Sequence, residues 1–433
     1  FWPVLEAMKT GVRVDTQKRD ALEIEIQREI DQRKQFLKTV LGTEINIASS
    51  TQMQDLFYRR LGQPPVLSRA KRNSPAHVTC DDEALQTIAK REPLLKSLVN
   101  CIADIRTLQV FISTFIRAKL DRDGRMRSSF NIAGSDTGKS APYTYRFSSS
   151  TNAFGGGCNF QNIPSDKSKA VGKAQARGMT FKLPNMRQMY VPDQGYTFFD
   201  MDLDRADLQV VVWEADDEML KAALRMGADI HLLNAYSLEN KSPPPLEELV
   251  ESHPKYADHR GPRKHKREFA KVFCHATNYG GSPRTIAAAT GNAVNEVDRA
   301  QRLWFGAHPG IKAWHDRTAD QIRKHRFVEN RFGYRWHIFD RLDRALPQAL
   351  AWIPQSTVGC YINRIWLAIY EQVPDAQVLI QVHDSLAGQF PTHKAEECKR
   401  GIAEASRIVI PYDDPLIIPT GMKTSTISWG DCE

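Results

Sequence analysis

The spacing of apolar positions changes period several times along this chain, and each change marks a predicted element. Through the first ~130 residues apolar side chains recur at helical spacing, most plainly in "DALEIEIQREIDQRKQFLKTVLG", where Gly42 is the predicted stop. The periodicity then lapses in "DGRMRSSFNIAGSDTGKSAPYTYRFSSSTNAFGGGCNFQNIP", whose Gly, Ser, Thr and Asn content predicts extended segments and turns. "YTFFDMD" alternates as a strand does, whereas Leu208, Val211, Val212 and Ala215 fall on one face of a helix. The strand-to-helix junction therefore lies near 203 to 205, with Asp204 and Asp207 resembling a capping pair. A helical middle follows, interrupted by "NKSPPPLEELVESHPKYADHRGP", whose prolines are expected to break any helix. "RKHKREFAKVFCHATNYGG" predicts a further helix ended by Gly280 and Gly281. Near the end, "QVLIQVHDSLAGQF" reads as a hairpin, two short apolar runs around a polar turn.

Size and charge narrow the class. A chain of 433 residues exceeds one ordinary core and implies two or three packed subregions. Its net charge of +8 and pI near 9.0 favour an anionic partner, nucleic acid first, and the basic residues gather in "SRAKRNSP" and "HRGPRKHKREFAK". The seven cysteines show neither zinc spacing nor an even disulfide count, which suits a reducing compartment. No uninterrupted apolar run approaches the roughly 20 residues of a membrane span, so the expectation is a cytoplasmic protein with no membrane partner. Because the chain starts at Phe1, it is compatible with an excised piece of something longer.

The candidate chemistry begins with acids. Asp200 and Asp202 share one face at the end of a predicted strand, and Asp384 stands with His383 at the tip of the hairpin. Taken singly, the first pair could be a solvated strand end and the second a structural turn. Brought together, such carboxylates repel, and a hard divalent cation such as Mg²⁺ is the usual resolution. Arg267, Lys271, His275 and Tyr279 recur every four residues, so two cations and aromatic rings look the same way from one helix. That face suits a triphosphate with a base or sugar above it, the alternative being a basic surface helix. The basic stretch from Arg69 to Pro75 reads as a solvated loop or a phosphate contact.

In this order, these elements resemble the motifs of the A-family, polymerase I-like DNA polymerases. "FWPVLEAMKTGVRVD", "INIASSTQMQDLFYRRLG", "YRFSSS" with "NFQNIP", "DIHLLNA", "VENRFGYRWHIFD", "IPQSTVG", "VHDS" and "SWGD" all follow the family's sequence, with "AFGGG" inserted in the primer-strand segment. The resemblance implies an α+β right-hand polymerase fold, with an antiparallel palm sheet, helical fingers and a helical thumb. The implied division is thumb and start of palm over 1–140, palm with the primer-strand segment and first catalytic acid over 141–210, fingers over 211–330, and palm with the catalytic hairpin over 331–433. No exonuclease domain is expected in these residues.

Carried over, the resemblance makes Asp202 and Asp384 the metal-binding aspartates, joined by the Leu203 carbonyl, for two Mg²⁺ ions with Mn²⁺ as a substitute. Arg267, Lys271 and His231 would hold the triphosphate, with Lys271 the proton donor to pyrophosphate. Tyr279 would stack near the templating position beside His275. Asp207 would sense the sugar 2′ position and accept a hydrogen bond from the Tyr279 hydroxyl. Arg146, Gln355 and His383 would touch the primer terminus or its minor groove, and Arg69, Lys71 and Arg72 would meet phosphates. The implied partners are primed DNA template and dNTPs, the implied state a monomer, and the implied setting a bacterial or phage-infected cell. The sequence departs from the family at His275 (usually Phe or Tyr), Asp207 (Glu) and Ser385 (Glu), which suggests a phage-like branch. Alternatives are a single-subunit phage-type RNA polymerase, a metal-dependent phosphohydrolase and a non-enzymatic basic duplex-binding protein. Asp200 takes no role from the resemblance.

Overall fold

The computed structural model describes residues 1–68, 75–132, 143–152, 154–339, 341–342 and 345–432. Its organising element is the strand Tyr196–Leu203, in which Phe198, Phe199, Met201 and Leu203 are buried. It lies inside a four-stranded antiparallel sheet, ordered Thr420–Ser425, Tyr196–Leu203, Ser385–Pro391, Gln377–Val382. Aromatic packing pins this arrangement: Phe199 stacks on Phe390 with centroids 5.7 Å apart, and Phe198 stacks on Trp429 at 6.4 Å. The last two strands form the expected hairpin, and the turn between them is His383–Asp384. His383 takes the left-handed conformation (φ 56°) that tight hairpin turns require.

Helices surround this sheet. Thr16–Leu41 buries Leu22, Ile26, Ile30 and Leu37 against Lys96–Val110. Asp15 caps its start, accepting from the Lys18 N–H at 2.9 Å, and Gly42 ends it at φ 69°, as its spacing predicted. One helical run, Pro93–Ile116, is long and apolar enough by composition to span a membrane, which the sequence reading had not allowed. Its apolar window is 61% buried inside the protein, as a core helix would be.

Ala206–Ala215 follows the central strand, but Arg205 (φ 49°) occupies its N-cap position and no side chain caps it. The expected Asp204 cap is therefore not formed; Asp204 is exposed and pairs with Arg205 at 3.4 Å. This helix also buries more than its predicted stripe. Val210 and Val212 join the main core, while Val211 and Ala215 meet Ile311, Trp314 and Leu350. Helices are packed on both sides of it, so each buried valine contributes about 1.5–3 kcal/mol and a polar face has no place.

The helix carrying the four-residue pattern runs over Tyr256–Asn278, through Pro262 rather than from it. Proline removes one hydrogen bond to the preceding turn. Here that turn, Ala257 to His259, is largely in solvent, so water can satisfy the freed carbonyl and the helix continues. Gly280 (φ 72°) and Gly281 end it, with the Gly281 N–H donating to the Ala276 carbonyl at 2.8 Å.

Candidate active site

The sheet register brings the two acidic elements together. Asp202 lies opposite Ser385, the residue after Asp384, and the Leu203 N–H donates to the Asp384 carbonyl at 3.3 Å. Asp202 keeps a solvent-facing edge, yet the protein atoms crowding it, then the charges of Asp384 and Asp200, raise its carboxyl to about 6. Asp200 is not a solvated strand end. It accepts from Trp429 Nε1 at 2.9 Å and pairs with Arg187 at 3.5 Å, and the Arg187 guanidinium lies 4.1 Å from the Trp429 ring. Burial raises its carboxyl too. It joins the C-terminal turn Trp429–Asp431 to the central strand, two positions before Asp202.

Facing these acids is the helix Tyr256–Asn278. Between them opens a cleft of about 530 Å³ lined by Arg205, Asp207, His231, Lys271, His275, Tyr279 and Asp384, among others. Lys271 is exposed and has no ion-pair or hydrogen-bond partner among the described residues. His231 is held neutral, its ring lowered to about 4 by burial and by the nearby cations Arg267, Lys271 and Arg205. Its Nδ1 is buried without a partner, as is the Tyr279 hydroxyl, among the described residues. His275 packs edge-on against Tyr279 with centroids 4.6 Å apart.

Arg267, expected to hold the triphosphate, is also engaged within the protein. Its Nε donates to Asp229 Oδ2 at 2.6 Å, and Tyr256 donates to the same oxygen at 2.8 Å. The other oxygen of Asp229 caps the helix Ile230–Leu238, which carries His231. Sequence reasoning did not single out Asp229, although it opens the quoted "DIHLLNA". It orients a cation and positions a histidine at once.

Arg146 reaches the cleft from the side. Its Nη2 donates to Asp207 Oδ1 at 2.6 Å. The Tyr279 hydroxyl makes no hydrogen bond of ordinary geometry to Asp207 yet lies within its reach: burial, then the Asp207 carboxylate, holds the Tyr279 phenol well above its usual range. The segment bearing Arg146 is clamped on the helix Ala345–Gln372. Trp352 Nε1 donates to the Tyr143 carbonyl and Asn363 Nδ2 to the Tyr145 carbonyl, both at 2.8 Å. Gly359, the glycine of "IPQSTVG", permits this approach, since a Cβ there would fall 2.3 Å from the Thr144 oxygen and 2.9 Å from the Arg146 nitrogen. Gln355 lies half-buried one turn earlier on the same helix.

His383 is exposed beside Asp384, its ring lowered by partial burial and then by Arg146. Ser385, where an acid was expected from the resemblance, donates its hydroxyl to the Val382 carbonyl at 3.0 Å and so braces the turn. Arg69, Lys71 and Arg72 lie outside the described residues. Arg205 was also missed; its left-handed backbone sets it on the cleft wall.

Comparison with known proteins fits this geometry. A sequence model described as DNA polymerase family A matches residues 16–416. The chain is 26% identical over 425 residues to the thermostable DNA polymerase I of Thermus filiformis, covering 95% of this chain and 45% of that protein. It is 26% identical over 438 residues to DNA polymerase I of Chloroflexus aurantiacus, covering 96% and 41%, and 25% identical over 393 residues to that of Pseudomonas aeruginosa, covering 88% and 38%. The chain thus spans less than half the length of these relatives. In fold it matches the POL domain of Pol1 from M. smegmatis, solved in complex with DNA primer-template and dNTP, with a TM-score of 0.75 at 19% identity over all of this chain and 70% of that one. The fold is therefore the α+β right-hand polymerase fold, and the chain belongs to DNA polymerase family A.

Proposed function

We propose that this chain is the polymerase part of a template-directed DNA polymerase, acting as a monomer on primed DNA. The primer 3′-oxygen attacks the α-phosphorus of a dNTP, a phosphodiester bond forms, and pyrophosphate leaves. The observation that best supports this reading is the cleft with Asp384 on one wall, Lys271, His275 and Tyr279 on the other, and Asp202 adjoining. Buried polar atoms without partners at His231 and Tyr279 fit a polar ligand seated there.

Asp202, Asp384 and the Leu203 carbonyl are the groups assigned to two divalent ions, Mg²⁺ or in its place Mn²⁺. The donor set fits: the side-chain donors are hard carboxylate oxygens, and the Asp202 carboxyl is raised by burial and then by the charges of Asp384 and Asp200, which a dication would offset. When bound, such ions acidify the attacking hydroxyl and neutralise phosphate oxygens. The remaining work falls to side chains. Lys271 contacts the triphosphate and protonates the departing pyrophosphate oxygen. Arg267, steadied by Asp229, and His231, neutral and able to donate, hold the other phosphates. His275 and Tyr279 cover the base, Asp207 faces the sugar, and Arg146, Gln355 and His383 meet the primer end. Arg69, Lys71 and Arg72 contribute phosphate contacts. Base pairing reads the sequence, so these contacts need only recognise backbone and minor groove. In this reading 1–140 is thumb and start of palm, 141–210 palm, 211–330 fingers and 331–433 palm.

Extension of a labelled primer with one dNTP at a time tests it. Addition of only the nucleotide complementary to the template supports the reading. Template-independent addition, or cleavage of the primer, refutes it.

A further inference from the structure

Asp200 takes no role from the resemblance and does not line the cleft, yet it stands two positions before Asp202 on the same face of the central strand. The sheet register sorts the charges around these two acids. Across the neighbouring strands Asp202 is paired with Ser385 and Gly421, neither of which carries a charge. Asp200 is paired with Ala387 and Lys423, so one cation stands beside it. A second comes from the turn Met186–Met189, whose Arg187 Nη1 lies 3.5 Å from Asp200 Oδ2. The cations thus gather at Asp200 and leave the Asp202 positions clear.

Arg187 is held there by little. Its contact with Asp200 is one long hydrogen bond, and its Nε is buried without a partner among the described residues. A guanidinium so incompletely satisfied gains from a second carboxylate. Asp202 supplies one nearby, since two residues of strand span roughly 7 Å. Burial presses the Arg187 guanidinium below its usual range, and Asp200 and then Asp202 are the charges that oppose this most. An arginine resting on Asp202 would occupy the oxygens assigned above to a divalent ion.

We propose that Asp200 is a positioning residue that holds Arg187 away from Asp202 and so leaves the Asp202 carboxylate free for a divalent ion. This inference rests on the polymerase reading above, but its test needs no catalysis. Mn²⁺ binding to the protein without DNA or dNTP is followed by loss of the free-ion electron paramagnetic resonance signal, with uptake by Asp384→Ala subtracted as background. Asp200→Asn keeps an acceptor for Trp429 Nε1 and removes the charge that holds Arg187. It is expected to weaken Mn²⁺ binding by roughly 10- to 150-fold, the range for a charged hydrogen bond that the ion must displace. Arg187→Gln should change binding little in the wild type and restore it in Asp200→Asn. The gain should be at least about fivefold larger in the second background, a coupling within the range for members of one charge network. Unchanged binding in Asp200→Asn overturns the proposal, and so does an equal gain from Arg187→Gln in both backgrounds, which a fixed field would produce. Failure of the double variant to recover overturns it as well, because a purely structural loss of the Asp200 tie persists there. Wild-type protein that takes up no more Mn²⁺ than Asp384→Ala would instead overturn the metal assignment itself.

Discussion

Gly359→Ala places two opposing effects on one atom. In a helix interior alanine is favoured over glycine by about 0.8–1.0 kcal/mol, so on propensity alone the variant should be more stable. The added Cβ, however, would sit 2.3 Å from the Thr144 oxygen, 2.9 Å from the Arg146 nitrogen and 3.0 Å from the Tyr145 carbonyl carbon. All are backbone atoms, so no rotamer change relieves the clash. Ordinary contact begins at 3.4 Å, and 3.4 minus 2.3 leaves about 1.1 Å by which helix and segment must separate. Overpacking of this kind costs about 1–3 kcal/mol. The net expectation is a loss between about 0 and 2 kcal/mol, read from urea unfolding. Function should suffer more than stability. The same shift lengthens the 2.8 Å bond from Asn363 to the Tyr145 carbonyl and draws Arg146 from Asp207, now 2.6 Å away. A misplacement of 1 Å near reacting groups costs on the order of 10²-fold in rate. Single-turnover primer extension should therefore slow by about that factor while the protein stays folded. A variant about 1 kcal/mol more stable than wild type, with unchanged extension, would refute the close packing and the positioning role drawn from it.

Other expectations follow from the same geometry. Asp207→Glu adds a methylene at the proposed sugar-facing position, and the ratio of kcat/KM for matched dNTP over rNTP should rise by roughly 10- to 200-fold; an unchanged ratio with altered stability would leave Asp207 as a partner of Arg146 only. Asp202 has a folded value raised to about 6, so its charge opposes folding fully above that pH, and the opposition disappears below the unfolded value. In EDTA the wild type should gain stability relative to Asp202→Asn as pH falls from 7 to about 4, by under about 1 kcal/mol because its exposed edge is solvated; relative loss over that interval would contradict the cause assigned. Asp229→Ala should destabilise by about 1 kcal/mol for the helix cap plus about 1.5–3 kcal/mol for the charged hydrogen bonds. A change under about 0.5 kcal/mol in urea unfolding would show Arg267 finding an equivalent partner.

Much of the site was legible because its signals are local. The alternation of "YTFFDMD", the hairpin around His383 and Asp384 and the four-residue recurrence from Arg267 to Tyr279 each depend on neighbours in sequence. What escaped depends on distance along the chain. Arg267 meets Asp229 across 38 residues, Arg146 meets Asp207 across 61, and Asp200 meets Trp429 across 229. No periodicity announces such pairs, so neither Asp229 as the partner of Arg267 nor Arg146 as the partner of Asp207 was legible, and Asp200 stayed unassigned. Pro262 and Asp204 failed for a related reason. Proline rules and capping rules describe isolated helices, whereas solvent around the 257–259 turn and the left-handed Arg205 decided the outcome here.

The central claim, that Asp202 and Asp384 form one metal-dependent centre for nucleotide addition, is tested most directly by measuring primer extension and primed-DNA binding together in Asp202→Ala and Asp384→Ala. The account predicts that each variant binds primed template nearly as tightly as wild type while extension with Mg²⁺ and dNTPs falls to background, since each removes a ligand the reaction needs. Substantial extension by either variant would contradict it.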